Sequence, residues 1–286
     1  MNTRFARSKA LPQIQADHRF QFPSVAALNL REKSPEIRSG GVAGGNPKLS
    51  SIRLILFLAA LLAPIALLPA AEPALFAAKA RILFQGDSIT DGNRGRSADP
   101  NHILGHGYAF IIAAKHGAAF PALQLDFMNR GVSGNTVLDL EKRWPKDTLE
   151  LKPDVLSILI GVNDQGRGIP LDQYEQVYDK LLADAKTANP QLKLVLCEPF
   201  GLPVGKRAEN WEPWAAGLRQ RGAVVAKLAQ KHGAALVLFQ RAFDEAVKRA
   251  PAAHWIWDSV HPTYNGHQIM ADEWERAVSA FWAAKP

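Results

Sequence analysis

Arg81-Ile82-Leu83-Phe84-Gln85-Gly86-Asp87-Ser88-Ile89-Thr90 is the stretch whose reading decides the fold. A brief apolar run reads as a strand, and it passes directly into a glycine, two polar residues and the start of a helical turn. Gly86 permits tight backbone at that corner, and the turn beyond it leaves free N–H groups beside the Ser88 hydroxyl. The same pattern recurs down the chain. Short apolar runs bounded by Gly, Pro or polar residues predict strands at Arg81–Gln85, Leu123–Asn129, Val155–Ile160, Lys193–Cys197 and Ala235–Phe239. Longer amphipathic stretches predict helices near Gly107–His116, Val137–Trp144, Leu171–Ala188, Trp214–His232, Arg241–Arg249 and Tyr264–Ala284, with Asn189-Pro190 and Gly233 as stops. Strands alternating with helices build a parallel sheet covered on both faces. The expected class is therefore α/β, a three-layer α/β/α sandwich around a central five-stranded parallel sheet, filling one domain over residues 80–286. In such sheets ligands bind beyond the carboxyl ends of the strands, so the residues that follow each strand are the ones to read for chemistry.

Four of those positions are unusual. Gly86-Asp87-Ser88 presents a hydroxyl, although the triplet alone also fits a turn or a helix cap. Asn129-Arg130-Gly131-Val132-Ser133-Gly134-Asn135-Thr136 lets Gly134 turn a backbone N–H toward an oxygen near Ser88, or simply makes a glycine turn. Gly161-Val162-Asn163-Asp164 offers the Asn163 amide as a second donor, or an Asx turn. Asp258-Ser259-Val260-His261-Pro262 sets an acid and an imidazole three residues apart, a spacing that one loop folds onto one side. A serine hydroxyl is a poor nucleophile until a base takes its proton, and a neutral imidazole needs a carboxylate to fix its tautomer. His261 and Asp258 fit those roles. Given average residue frequencies, the three signatures in this order arise by chance on the order of 1 in 10,000 or less.

With those motifs the chain resembles the SGNH (GDSL-type) hydrolases, whose four named residues correspond to Ser88, Gly134, Asn163 and His261. The resemblance covers about residues 80–280 and implies a flavodoxin-like fold with no metal or organic cofactor. It implies Ser88, Asp258 and His261 as catalytic residues, and an oxyanion hole made by the Ser88 and Gly134 N–H groups and the Asn163 side chain. The flanking pattern of Ser88 is not the Gly-x-Ser-x-Gly of α/β-hydrolases. Around residues 129–136 and 152–164 the chain is similar to the branch holding acetylxylan and other carbohydrate acetyl esterases. The expected substrate is a small ester or acetylated carbohydrate. A lysophospholipase or thioesterase of the same superfamily is the runner-up, and a non-catalytic carbohydrate-binding module is a third reading.

The formal charge of +7 suggests nucleic acid until it is located. Residues 1–71 hold nine Lys/Arg against three Asp/Glu, leaving 25 against 24 in the remainder, so no nucleic-acid partner is expected. Residues 1–50 lack periodicity and read as a disordered extension. A run without charge from Leu54 to Ala71, preceded by Lys48 and Arg53, reads as a signal peptide over residues 51–71. That predicts a secreted or periplasmic protein, touching a membrane only if this segment stays uncleaved; oligomeric state is left open. Cys197 is the sole cysteine, so no internal disulfide can form. Trp211, Trp214, Trp255 and Trp257 are expected near the active face, as sugar platforms or as core. Asp91, Asp164, Gln165 and Arg167 are expected as solvated loop residues, and His102, His106, His116, His232, His254 and His267 as non-catalytic.

Overall fold

Val155-Leu156-Ser157-Ile158-Leu159 is buried from end to end, as a strand must be when helices cover both faces of its sheet. It is the central strand β3 of a computed structural model that describes residues 74–284. Around it lie β1 (Arg81–Gly86), β2 (Asp126–Asn129), β4 (Lys193–Cys197) and β5 (Ala235–Val237), ordered β2-β1-β3-β4-β5. Every neighbouring pair is parallel. The expected three-layer α/β architecture is what the chain adopts.

Side chains along each strand alternate between two cores. Ile82, Phe84, Val195, Cys197 and Val237 face one core, while Leu83, Leu156, Ile158, Leu194 and Leu196 face the other. The first core is covered by α2 (Tyr108–Ala119), α7 (Phe239–Ala246) and α9 (Tyr264–Ala283), the second by α3 (Val137–Trp144) and α5 (Leu171–Ala188). Helix α6 (Trp211–His232) contributes to both, and three single turns, α1 (Ser88–Asp91), α4 (Val162–Gly166) and α8 (Ala252–Trp255), complete the described set. The strand order reverses direction between β1 and β3, which makes the crevice beyond their carboxyl ends the natural ligand site.

The boundaries depart from expectation where local chemistry overrides periodicity. Strand β2 begins at Asp126, because Pro121–Leu123 form a 3-10 turn that ends on Gln124 with φ 51°. Strand β5 stops at Val237 and Phe239 opens α7. Helix α6 starts at Trp211, three residues early, because Pro213 sits in the first turn, where a missing N–H breaks no helical bond. The disordered extension and signal peptide assigned to residues 1–71 lie outside the described residues. Among those described, no helix is long and apolar enough to cross a membrane.

Trp274 of α9 anchors the first core. It is fully buried, tilts against Phe84 at 5.8 Å between ring centroids, and donates its indole N–H to Ser157 Oγ at 2.9 Å. Trp274→Ala is expected to destabilise the protein by about 3–5 kcal/mol through the cavity it opens. Trp274→Phe should cost less, since it gives up chiefly the hydrogen bond; urea unfolding of the two variants checks the order.

Candidate active site

Ser88 opens α1 at the end of β1. A four-residue helix is held by its caps, and here Asp87 Oδ1 accepts the Ile89 N–H at 3.0 Å while Gly92, at φ 51°, closes the other end. Gly86 is required by close approach: a Cβ there would lie 2.3 Å from the Leu159 carbonyl oxygen of β3. The Ser88 side chain is half-buried.

The acid and base stand on one narrow loop. Ile256 bridges Pro262 in antiparallel fashion, and the Trp257 N–H donates to the His261 carbonyl at 3.1 Å. Asp258 Oδ1 accepts the His261 N–H at 2.9 Å and the Val260 N–H at 3.3 Å, an Asx turn that folds the carboxylate back over its own backbone. Ser259, between them, is buried at φ 92°; its hydroxyl donates to the Val204 carbonyl and its carbonyl accepts the Leu202 N–H at 3.0 Å. A serine there stores about 1–3 kcal/mol of backbone strain, offset by those two bonds to the segment after β4.

That loop meets α1. His261 Nδ1 lies 2.7 Å from Asp258 Oδ2, and His261 Nε2 lies 2.7 Å from Ser88 Oγ. Partial burial opposes charge on Asp258, but the hydrogen bonds from the His261 backbone and ring outweigh it and hold the carboxyl below its ordinary range. An ionised Asp258 keeps the proton on Nδ1, leaving Nε2 to accept from the serine.

Three donors lie on the segments that follow the carboxyl ends of β1, β2 and β3. Among the described residues the Ser88 and Gly134 N–H groups have no partner. Asn163 Nδ2 donates one hydrogen to the Asn135 carbonyl at 3.0 Å, leaving its second free, and so ties the loop after β3 to the loop after β2. Gly134 takes φ 82°, which a residue with a side chain rarely adopts. Arginines fix the outward carbonyls of this loop: Arg167 donates to Gly134 O at 2.6 Å, Arg94 to Gly131 O at 3.0 Å and Arg143 to Arg130 O at 2.8 Å.

Asp91 and Asp164, expected in solvent, are buried. Asp91 Oδ2 accepts from the Ser133 N–H at 3.0 Å, Ser133 Oγ at 2.9 Å and Arg96 Nη2 at 2.8 Å, joining the end of α1 to the Gly134 turn. Asp164 Oδ1 caps α3 through the Val137 N–H at 2.9 Å. Gln165 accepts from Arg221, and only Arg167 is exposed. Of the tryptophans, Trp255 is core, its N–H donating to the Ala250 carbonyl at 3.2 Å, and Trp211 and Trp214 pair over Gly201. Trp257 is 65% exposed, its ring 6.3 Å from that of His261 and inclined 30° to it. His267 Nδ1 accepts the Tyr108 N–H at 3.3 Å, capping α2 where Gly107 has no side chain to do so. Burial lowers its pKa to about 4, so it remains neutral. Among the described residues no cluster of three His, Cys, Asp or Glu side chains is disposed to hold a metal ion.

Residues 84–269 match the model of the GDSL-like lipase/acylhydrolase family. The chain belongs to that family. An acetylxylan esterase from Geobacillus stearothermophilus is 34% identical over 215 residues, spanning 71% of this chain and 95% of that protein. Thioesterase 1/protease 1/lysophospholipase L1 of Escherichia coli K12 is 28% identical over 187 residues, 63% of this chain and 83% of that one. Among solved structures, a GDSL-like lipase from Parabacteroides merdae superposes with a TM-score of 0.66 at 38% identity, covering 72% of this chain and 99% of its own. The Geobacillus stearothermophilus acetylxylan esterase Axe2 does so at 0.63 with 33% identity, covering 71% and 95%. This GDSL-family chain is thus a carboxylic ester hydrolase of the SGNH type, similar to the carbohydrate-esterase branch, and the reading as a non-catalytic module falls away.

Asp87 is the most strongly perturbed carboxyl in this hydrolase site. It is fully buried, with Oδ2 lacking any hydrogen-bond partner among the described residues. Burial first, then the neighbouring charges of Asp164 and Asp91, raise its pKa from 3.8 to about 7 despite the Ile89 N–H. Between those two values the unfolded chain releases the proton that the folded one keeps, so stability falls as pH rises through about 4 to 7. The loss is on the order of 4 kcal/mol at 1.36 kcal/mol per pKa unit. Asp87→Asn retains the cap and carries no charge. Its melting temperature is expected to exceed that of the wild type at pH 8 and to match it near pH 4, as thermal denaturation at the two pH values would show.

Proposed function

We propose that Ser88, His261 and Asp258 form the catalytic triad of this ester hydrolase, and that it removes short acyl groups, chiefly acetyl, from carbohydrates. The observation that carries the triad is the continuous line of two 2.7 Å contacts from Ser88 Oγ through the imidazole to Asp258. His261 Nε2 takes the Ser88 proton as Oγ attacks the ester carbonyl, and Asp258 stabilises the imidazolium that results. Negative charge on the carbonyl oxygen is met by the Ser88 N–H, the Gly134 N–H and the free Asn163 hydrogen. His261 then returns its proton to the departing sugar oxygen as the C–O bond breaks, leaving an acyl group on Ser88. Water, deprotonated by the same imidazole, attacks that acyl carbonyl; the acid leaves and Ser88 recovers its proton.

The carbohydrate assignment is supported by the similarity to acetylxylan esterase. It is also supported by Trp257, whose exposed indole beside His261 offers a flat apolar face to a sugar ring. The preference for short acyl groups is supported by the absence of any long apolar insertion between the four motifs that could close over a chain. The similarity to a thioesterase and lysophospholipase carries the second reading, in which the same triad serves longer acyl groups.

Two experiments test these assignments. Ser88→Ala is expected to abolish nearly all hydrolysis with an unchanged circular dichroism spectrum, and Asn163→Ala to lower kcat by about a hundredfold or more; turnover retained in Ser88→Ala sinks the triad. On nitrophenyl esters, kcat/KM is expected to be highest for acetate and to fall with chain length. A profile rising toward octanoate replaces the acetyl esterase by the thioesterase or lysophospholipase reading and leaves the triad standing.

A further inference from the structure

The turn that follows β2 carries more positive charge than it balances. Four guanidinium groups, those of Arg94, Arg96, Arg130 and Arg143, cluster there with three carboxylates, Asp91, Asp139 and Asp147. All three are already engaged, Asp139 by Lys142 at 3.1 Å and Arg167 at 3.4 Å. Asp91 takes Arg96 through two hydrogen bonds of 3.0 and 2.8 Å, and Asp147 takes Arg143 at 3.3 Å. Arg94 spends its Nε on the Gly131 carbonyl. The Arg130 guanidinium makes no hydrogen bond or ion pair with any described residue, and its Nε is shut off from solvent without an acceptor.

Unpaired, partly desolvated charge is costly, and proteins rarely leave it without a counter-ion. Arg94 registers the imbalance: burial and then the charges of Arg96 and Arg130 bring its pKa down to about 10, and Arg130 weighs on Arg143 in the same sense. Both unpaired arginines are only partly buried, so a ligand from solvent can reach them. Arg130 opens the loop that carries Gly134, and that loop is tied to the Ser88 corner: the Val132 N–H donates to the Gly86 carbonyl at 3.1 Å, and Asp91 at the end of α1 accepts the Ser133 N–H at 3.0 Å. An anion held here would therefore sit on the side of the molecule that carries Ser88.

We propose that Arg94 and Arg130 form an anion subsite that receives the carboxylate of an acidic sugar, so that the preferred substrate is an acylated oligosaccharide carrying a uronic acid. The inference rests on the carbohydrate reading given above. Carboxylate matches the planar fork of a guanidinium, and a sugar acid places its charge within one ring or two of the acetyl group.

The test compares acetylated xylooligosaccharides with and without a uronic-acid branch, using the full chain and Arg130→Gln. For the wild type, kcat/KM is expected to be about tenfold higher on the acidic oligosaccharide, through KM, and this preference should fade in about 0.5 M salt. In Arg130→Gln the ratio of the two substrates should fall to about one, with Arg130→Lys in between. Equal kcat/KM on both substrates in the wild type, or an undiminished ratio in Arg130→Gln, overturns the subsite. A thermal shift reads it without turnover: free glucuronate should raise the Tm of the wild type and leave Arg130→Gln unmoved, whereas a shift with inorganic phosphate alone overturns the acidic-sugar assignment. Nitrophenyl acetate cleaved with neither oligosaccharide touched means instead that the carbohydrate reading has failed.

Discussion

A single 2.7 Å hydrogen bond, from Ser88 Oγ to His261 Nε2, joins residues 173 apart in sequence. Nothing local brings them together, so that distance is set by the fold between them. Strand β1 must emerge beside β3 at Gly86, which is why no side chain is tolerated there. The loop from Ile256 to Pro262 must arrive at the same level. It is held by the antiparallel bridge at its neck, by the Asx turn of Asp258, and by Ser259, which pins it to Leu202 and Val204 after β4.

The loop that carries Gly134 is set by a different device. It has its outward carbonyls occupied by Arg94, Arg143 and Arg167, and Asp91 holds Ser133 from beneath. The peptide planes on either side of the Gly134 N–H are fixed, one through Asp91 on the Ser133 N–H and the other through Arg167 on the Gly134 carbonyl, so that N–H is left unpaired without being left loose. In the oxyanion role proposed for it, a donor held in this way needs no rearrangement when charge develops, which is where it gains over water. Buried Asp87 and Asp164 complete the floor by capping the helices that open at Ser88 and Val137.

Much of this was legible in the residues. Five short apolar runs gave the parallel sheet, since a strand buried on both faces has nowhere to place polar side chains. Ser88 and Asn163 could be singled out by their side chains just past strand ends, and Asp258 and His261 by their three-residue spacing. What stayed hidden was what depends on backbone. Arg143 and Arg167 act on carbonyl oxygens, which every residue has and no sequence pattern marks. Asp91 looked like a loop carboxylate because Ser133, which it holds through two hydrogen bonds, stands 42 residues away and is brought to it only by the fold. The start of α6 was misplaced because Pro213 reads as a breaker unless its position in the first turn is known. The strain at Ser259 has no signature in a residue type that ordinarily avoids such angles.

Helix α9 begins at Tyr264, just past the imidazole, and ten residues further on drives Trp274 into the middle of the molecule. The imidazole that meets Ser88 and a principal anchor of the core therefore ride on one continuous stretch of chain, and the placement of that imidazole is tied to how the last described helix packs.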